Sequence, residues 1–181
     1  MEVYLASAAG LLSWCGKWRK IPTPLAHPTL LAACGADVAL ADSVNRLLYR
    51  QGRVSTLPPG VEVLRCWRNQ LLTLSSETNC LTLYDAHDYP LVTLPAGIRP
   101  CGCAVVDCQV IVCGCEDGCL HIFSLPDLRE IAVYPVPGCP MRVAADGGVL
   151  TCLSLLSPDP PQTLLFRLCL TSGDFAPVAL L

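Results

Sequence analysis

Short apolar runs alternate with polar turns along almost the whole chain, and no stretch carries the 3.6-residue periodicity of an amphipathic helix. Three runs set the pattern: VALADSVNRLLYRQGRVSTLPPG from Val38, LLTLSSETNCLTLYDAHDYPLVTLPAG from Leu71, and VIVCGCEDGCLHIFSLPDLREIAVYPVPG from Val110. Each holds an apolar strand, a polar turn, a second strand, another polar turn and a third strand, and each closes on proline and glycine. A further strand precedes each run: LLAAC from Leu30, VEVLRCW from Val61 and CGCAVV from Cys101. A last unit follows the same order, as MRVAAD, VLTCLSLL, TLLFRLCL and FAPVALL. Before Pro28, VYLAS and GLLSWC read as the second and third strands of an earlier unit, with a fourth near residues 18–23.

Four antiparallel strands repeating about every 40 residues predict an all-β fold, a β-propeller of four-stranded blades. One such sheet cannot bury its faces alone, so successive sheets must stack face to face. Stacking accounts for near-continuous apolar runs such as Val110 to Cys113, which alternation on a half-exposed sheet would not produce. The single domain divides into a partial blade over 1–27 and full blades over 28–60, 61–97, 98–138 and 139–181, about 4.7 blades in all.

The unit from Gly97 to Pro140 resembles a YVTN-type, YncE-like propeller repeat: Gly97 with Pro100 opens it, and Pro137-Gly138-Cys139-Pro140 closes it. The resemblance covers Pro28 to Leu181 well and the first 27 residues less well. It departs from the family in lacking a literal Tyr-Val-Thr-Asn and in lacking the proline at the Gly60 junction. It implies a ring that usually closes with seven blades, in a family ranging from lactonases to surface-layer and ligand-binding proteins. Against that ring the chain reads as an incomplete arc, either a truncated product or one completed by another chain. A closed five-bladed ring is the alternative. An open arc exposes an apolar blade face and invites self-association.

Composition narrows the function classes. Hydrophobic residues make up 52% and charged residues 15% of the chain, against a usual charged share of about 25%. The longest uncharged run, 21–36, contains Pro22, Pro24 and Pro28, so the apolar content belongs to buried strands and not to a membrane span. Net charge is -3, and no basic cluster exceeds Lys17 to Lys20, which argues against nucleic acid as a partner. Glu2 stands where a signal peptide carries positive charge, so a cytoplasmic protein is expected, with its 13 cysteines as reduced thiols.

Six cysteines and a histidine fall within residues 101–122. C-x-C pairs on adjacent strands put Cys101, Cys103, Cys113 and Cys115 forward as a thiolate metal site. Structural zinc, however, uses C-x2-4-C knuckles on turns, and no C-x-x-C occurs. Other units place Leu, Val, Ala or Ser at these positions, so packing is the reading taken, with no metal and no cofactor expected. His87 sits in a polar turn and His121 in an apolar strand, and neither belongs to a recognisable triad. The loops expected at the axial mouth carry Asp42, Arg46, Glu77, Asn79, Arg99, Glu116, Asp117 and Arg142. Of these, Arg99, Arg142, Glu77, Glu116, Asp117 and Asp42 are the candidate ligand-binding residues. The expected function is a non-catalytic scaffold binding a protein or a small polar ligand at that mouth. The alternative is a lactonase-like hydrolase acting on a sugar lactone.

Overall fold

A computed structural model describes residues 3–7, 10–34, 37–114 and 116–181. These residues form nineteen strands in five antiparallel sheets. The first sheet has three strands, β1 (Val3–Ser7), β2 (Gly10–Trp14) and β3 (Trp18–Ile21). The second holds β4 (Leu30–Cys34), β5 (Asp37–Asp42), β6 (Leu47–Arg50) and β7 (Arg53–Thr56). The third holds β8 (Val61–Trp67), β9 (Gln70–Ser75), β10 (Cys80–Tyr84) and β11 (Pro90–Pro95). The fourth holds β12 (Pro100–Val106), β13 (Gln109–Gly114), β14 (Cys119–Ser124) and β15 (Glu130–Pro135). The fifth holds β16 (Cys139–Asp146), β17 (Val149–Pro158), β18 (Pro161–Cys169) and β19 (Phe175–Leu180).

Within each sheet the strands pair in sequence order, as short hairpins dictate. The first strands, β4, β8, β12 and β16, lie beside one another and line the concave side of the arc. Burial follows from position. In β9 and β13 every residue after the first is buried, because a sheet covers each face. The outermost strands β11 and β15 instead alternate between exposed and half-buried residues, because their outer side meets water.

Four apolar clusters are the four contacts between consecutive sheets. Leu11, Leu25 and Leu40 join the first to the second, and Ala39, Ala41, Leu64 and Leu71 the second to the third. Leu72, Leu81, Val112 and Phe123 join the third to the fourth, and Ile111, Leu120, Cys152 and Phe166 the fourth to the fifth. Among the described residues no such cluster joins the fifth sheet to the first, so the five-bladed closed ring is corrected to an open arc. Both end faces remain apolar. Leu5, Trp14 and Trp18 are 49%, 39% and 53% exposed on the first sheet, and Val149 is 37% exposed on the last.

The first three strands keep the phase of later blades. Leu25, after β3, is buried like Leu57 after β7 and Ala96 after β11. Hence β1 to β3 occupy the second to fourth strand positions. Gly35 and Ala36, between β4 and β5, lie outside the described residues.

Candidate axial site

The sixth residue of the second strand in each full blade lies beside the loop arriving from the preceding blade. In the second sheet it is Asp42, fully buried, whose Oδ2 accepts the His27 N–H at 3.1 Å and whose Oδ1 accepts the Asn45 N–H at 2.9 Å. The Asn45 side chain, by its own hydrogen bond, is the chief reason the Asp42 carboxyl is held below the usual carboxylate range. In the third sheet Ser75 Oγ donates to the Pro59 carbonyl at 2.7 Å and accepts the Thr78 N–H at 3.1 Å. In the fifth, Ser154 Oγ donates to the Pro137 carbonyl. The fourth sheet has Gly114 there, and a Cβ at that glycine would collide with the Asp117 carboxylate. Asp117 fills the gap, accepting the Ile98 N–H at 2.8 Å and the Cys119 N–H at 3.0 Å. Asp42 and Asp117, expected as ligand contacts, therefore act as latches that satisfy backbone donors.

The other candidates are scattered. Arg99 and Glu116 form an exposed ion pair at 2.7 Å across the mouth of the fourth blade, and the Arg99 N–H donates to Asn79 Oδ1 at 2.9 Å. Glu77 is exposed on its turn, its Cβ close over Gly60. Arg142 was expected on a loop but lies on β16 at a β-bulge, because β16 begins at Cys139. His121 brings Nδ1 to 2.7 Å from Glu130 Oε1 and Nε2 to 3.1 Å from Asp117 Oδ2, so both ring nitrogens already face carboxylates.

Polar groups do converge on the concave side, around β12. Being the first strand of its sheet, β12 pairs only with β13 and leaves one backbone edge open toward the axis. Carbonyls two residues apart point to the same edge. Arg65, from β8, donates Nε to the Cys103 carbonyl at 3.0 Å and Nη1 to the Leu64 carbonyl at 2.8 Å. Arg142, from β16, donates Nη1 to the carbonyls of Cys101 and Met141, each at 2.7 Å. Two guanidinium groups thus flank one strand from either side. They line a cleft with Leu31, Glu62 and Gly102, where Glu62 accepts a hydrogen bond from Ser76 Oγ. Arg65 and Glu62 were not expected as site residues. Their signal is charge inside VEVLRCW, where the equivalent strands LLAAC and CGCAVV carry only small and apolar residues.

The thiols divide by position. Cys101 Sγ donates to the carbonyls of Pro140 and Met141 at 3.3 and 3.2 Å, and Cys103 is buried, its thiol pushed up to about 11 by loss of water. Cys113 meets Cys152 across the fourth and fifth sheets, and that hydrogen bond, then burial, raises its thiol far above the ordinary value. Cys115 lies outside the described residues, and among those residues no three His, Cys, Asp or Glu side chains gather as a metal site. One expectation is corrected: Cys66 is disulfide-bonded, at the end of β8 where β4 runs alongside. Cys169 differs from every buried thiol, because hydrogen bonds from Ser172 and then Thr171 lower it to about 6. Cys169 is therefore expected to be the first thiol labelled by iodoacetamide at pH 7, ahead of exposed Cys15 and Cys108, with Cys103, Cys113 and Cys152 unmodified until unfolding. Its labelling rate should fall as pH drops through about 6, because the thiolate becomes protonated there. Peptide mass mapping against time checks the order.

No family model and no curated protein matches the sequence. Solved structures do match. A functionally unknown protein from Desulfotomaculum acetoxidans superimposes with a TM-score of 0.76 at 12% identity, over 99% of this chain and 66% of that one. A catalytically inactive virginiamycin B lyase from Staphylococcus aureus gives 0.73 at 13% identity, over 97% and 65%. BamB from Moraxella catarrhalis gives 0.68 at 12% identity, over 95% and 56%. The fold is a β-propeller. The chain spans between about half and two thirds of these propellers' length, and identity at this level carries the fold alone. Among the described residues no helix is long and apolar enough to cross a membrane.

Proposed function

We propose that this propeller is a non-catalytic binding scaffold that takes a small polar ligand or a peptide at the axial mouth, against the concave surface of β4, β8, β12 and β16. The observation that supports this reading most is the placement of Arg65 and Arg142, from the third and fifth blades, at one cleft on either side of the fourth blade's first strand. The reading extends the expected mouth from its loops, where Arg99 and Glu116 pair with each other, to the strands beneath.

A thermal-shift panel of neutral sugars, small carboxylates and short peptides tests it. Ala33 is exposed on β4 and lines a concave pocket with Arg65, Ala104 and Ala145, so Ala33→Trp puts an indole into that space. Compounds that stabilise the native protein should lose that effect in Ala33→Trp and in Arg142→Ala. Stabilisation of equal size in all three proteins would end the reading.

A further inference from the structure

We infer that the cleft beside β12 is an oxyanion site, receiving the carboxylate or phosphate group of the ligand between Arg65 and Arg142. This deepens the axial-binding reading and rests on it. Among the described residues neither guanidinium has a carboxylate within 4.0 Å, and both are anchored to backbone carbonyls, Arg65 through Nε and Nη1 and Arg142 through Nη1. Among the described residues Nη2 of each makes no hydrogen bond. A carbonyl satisfies a donor but does not neutralise a full positive charge, so two cations share one concave cleft with only their dipolar anchors.

Anchoring also fixes direction. Arg65 is held through Nε and Nη1 and Arg142 through Nη1, so the Nη2 end of each is presented with little further loss of side-chain freedom, an arrangement that binds oxyanions well. The floor offers room as well as charge. Gly102 lies between the two arginines, where a Cβ would come within 2.9 Å of the Met141 carbonyl oxygen and 3.3 Å of Arg142 Cα, so no side chain crosses the cleft from β12 at that point. The other charged side chain among the described residues lining the cleft is Glu62, already accepting from Ser76 Oγ, and its carboxylate opposes an incoming anion. The site is therefore positive by two charges against one.

The test uses inorganic phosphate and succinate as probes, with chloride at equal ionic strength as control, and titration calorimetry on the whole chain. Both oxyanions should bind the native protein where chloride gives no heat, and preference for one probe identifies which ligand group the site fits. Arg142→Ala should weaken binding about tenfold. Glu62→Gln should strengthen it about threefold, since it removes the opposing charge and keeps the hydrogen-bond acceptor. Glu62→Gln keeps the proposal open to refutation if Arg142→Ala does not fold. Absence of heat with both oxyanions, or affinity unchanged in Glu62→Gln, overturns the oxyanion inference. If a neutral sugar then binds and is expelled by Ala33→Trp, the axial-binding reading survives it. If the oxyanions bind the native, Arg142→Ala and Ala33→Trp proteins equally, the axial reading itself fails.

Discussion

Arg50→Met is expected to destabilise the fold by about 3–5 kcal/mol, more than loss of any surface ion pair. Arg50 ends β6 and is 1% exposed, although it carries a charge. Its guanidinium crosses from the second sheet to the third, donating Nη2 to the Asn69 carbonyl at 2.7 Å and Nη1 to the Asp85 carbonyl and to Asp88 Oδ1, each at 3.2 Å. Those three acceptors lie on two turns of the third sheet, which one side chain therefore holds against its neighbour. Methionine conserves the apolar stem but strands two carbonyls and the Asp88 carboxylate, itself only 8% exposed. The cost comes mainly from the unpaired carboxylate, so adding Asp88→Asn should return about 1–2 kcal/mol of it. The Arg99–Glu116 pair is shorter, at 2.7 Å, yet its partners are 70% and 49% exposed, and Arg99→Met should cost no more than about 1 kcal/mol. Urea unfolding of the four proteins gives the comparison; an Arg50→Met midpoint close to the native one would refute the clamp.

That clamp was not legible in the sequence, whereas the blades were. Val38, Leu71, Val110 and Val149, taken from the repeat as starts of equivalent strands, fall at the first or second residue of β5, β9, β13 and β17. The period is visible because every blade solves the same problem, burying two sheet faces, with the same order of apolar runs and turns. Chemistry at the mouth was less visible because strand phase does not say which backbone groups a fold leaves unsatisfied. Asp42 and Asp117 look like free turn carboxylates in sequence. In three dimensions each meets N–H groups on the loop from the preceding blade, 15 and 19 positions away. Arg65 is the converse case. Nothing along VEVLRCW shows that β12 exposes its carbonyl edge, so an arginine that caps this edge reads only as an interruption. The cysteines were legible as packing where they face another sheet, as Cys113 and Cys152 do. The disulfide at Cys66 was not, because it depends on which strands adjoin across blades.

Gly138→Ala should be the other severe substitution, at about 3 kcal/mol or more, and the repeat itself explains why. Gly60, Gly97 and Gly138 close the loops between blades, with φ of 66°, 83° and 70°. Any L-residue there loses about 1–2 kcal/mol to the left-handed conformation alone. The second cost is contact, and it separates glycines of similar φ. A Cβ at Gly138 would overlap the Leu155 carbonyl oxygen and lie 2.9 Å from its carbon, and one at Gly60 would overlap Glu77 Cβ and lie 2.9 Å from its nitrogen. Backbone cannot yield there without shifting the β17–β18 hairpin or the β9–β10 turn. At Gly97 the obstruction is the His121 ring at 2.9 Å and the Asp117 carboxylate at 3.0 Å, side chains that can rotate at the expense of the latch. Gly52 shares the geometry, at 77°, but a Cβ there meets nothing within 4 Å. The expected order of destabilisation is therefore Gly138 and Gly60 first, then Gly97, then Gly52, which should pay only the backbone term. Chemical denaturation of the four alanine variants measures it. Equal losses at Gly138 and Gly52 would mean that the closing glycine is kept for its φ alone, and that close apposition of loop and hairpin does not set the spacing between blades.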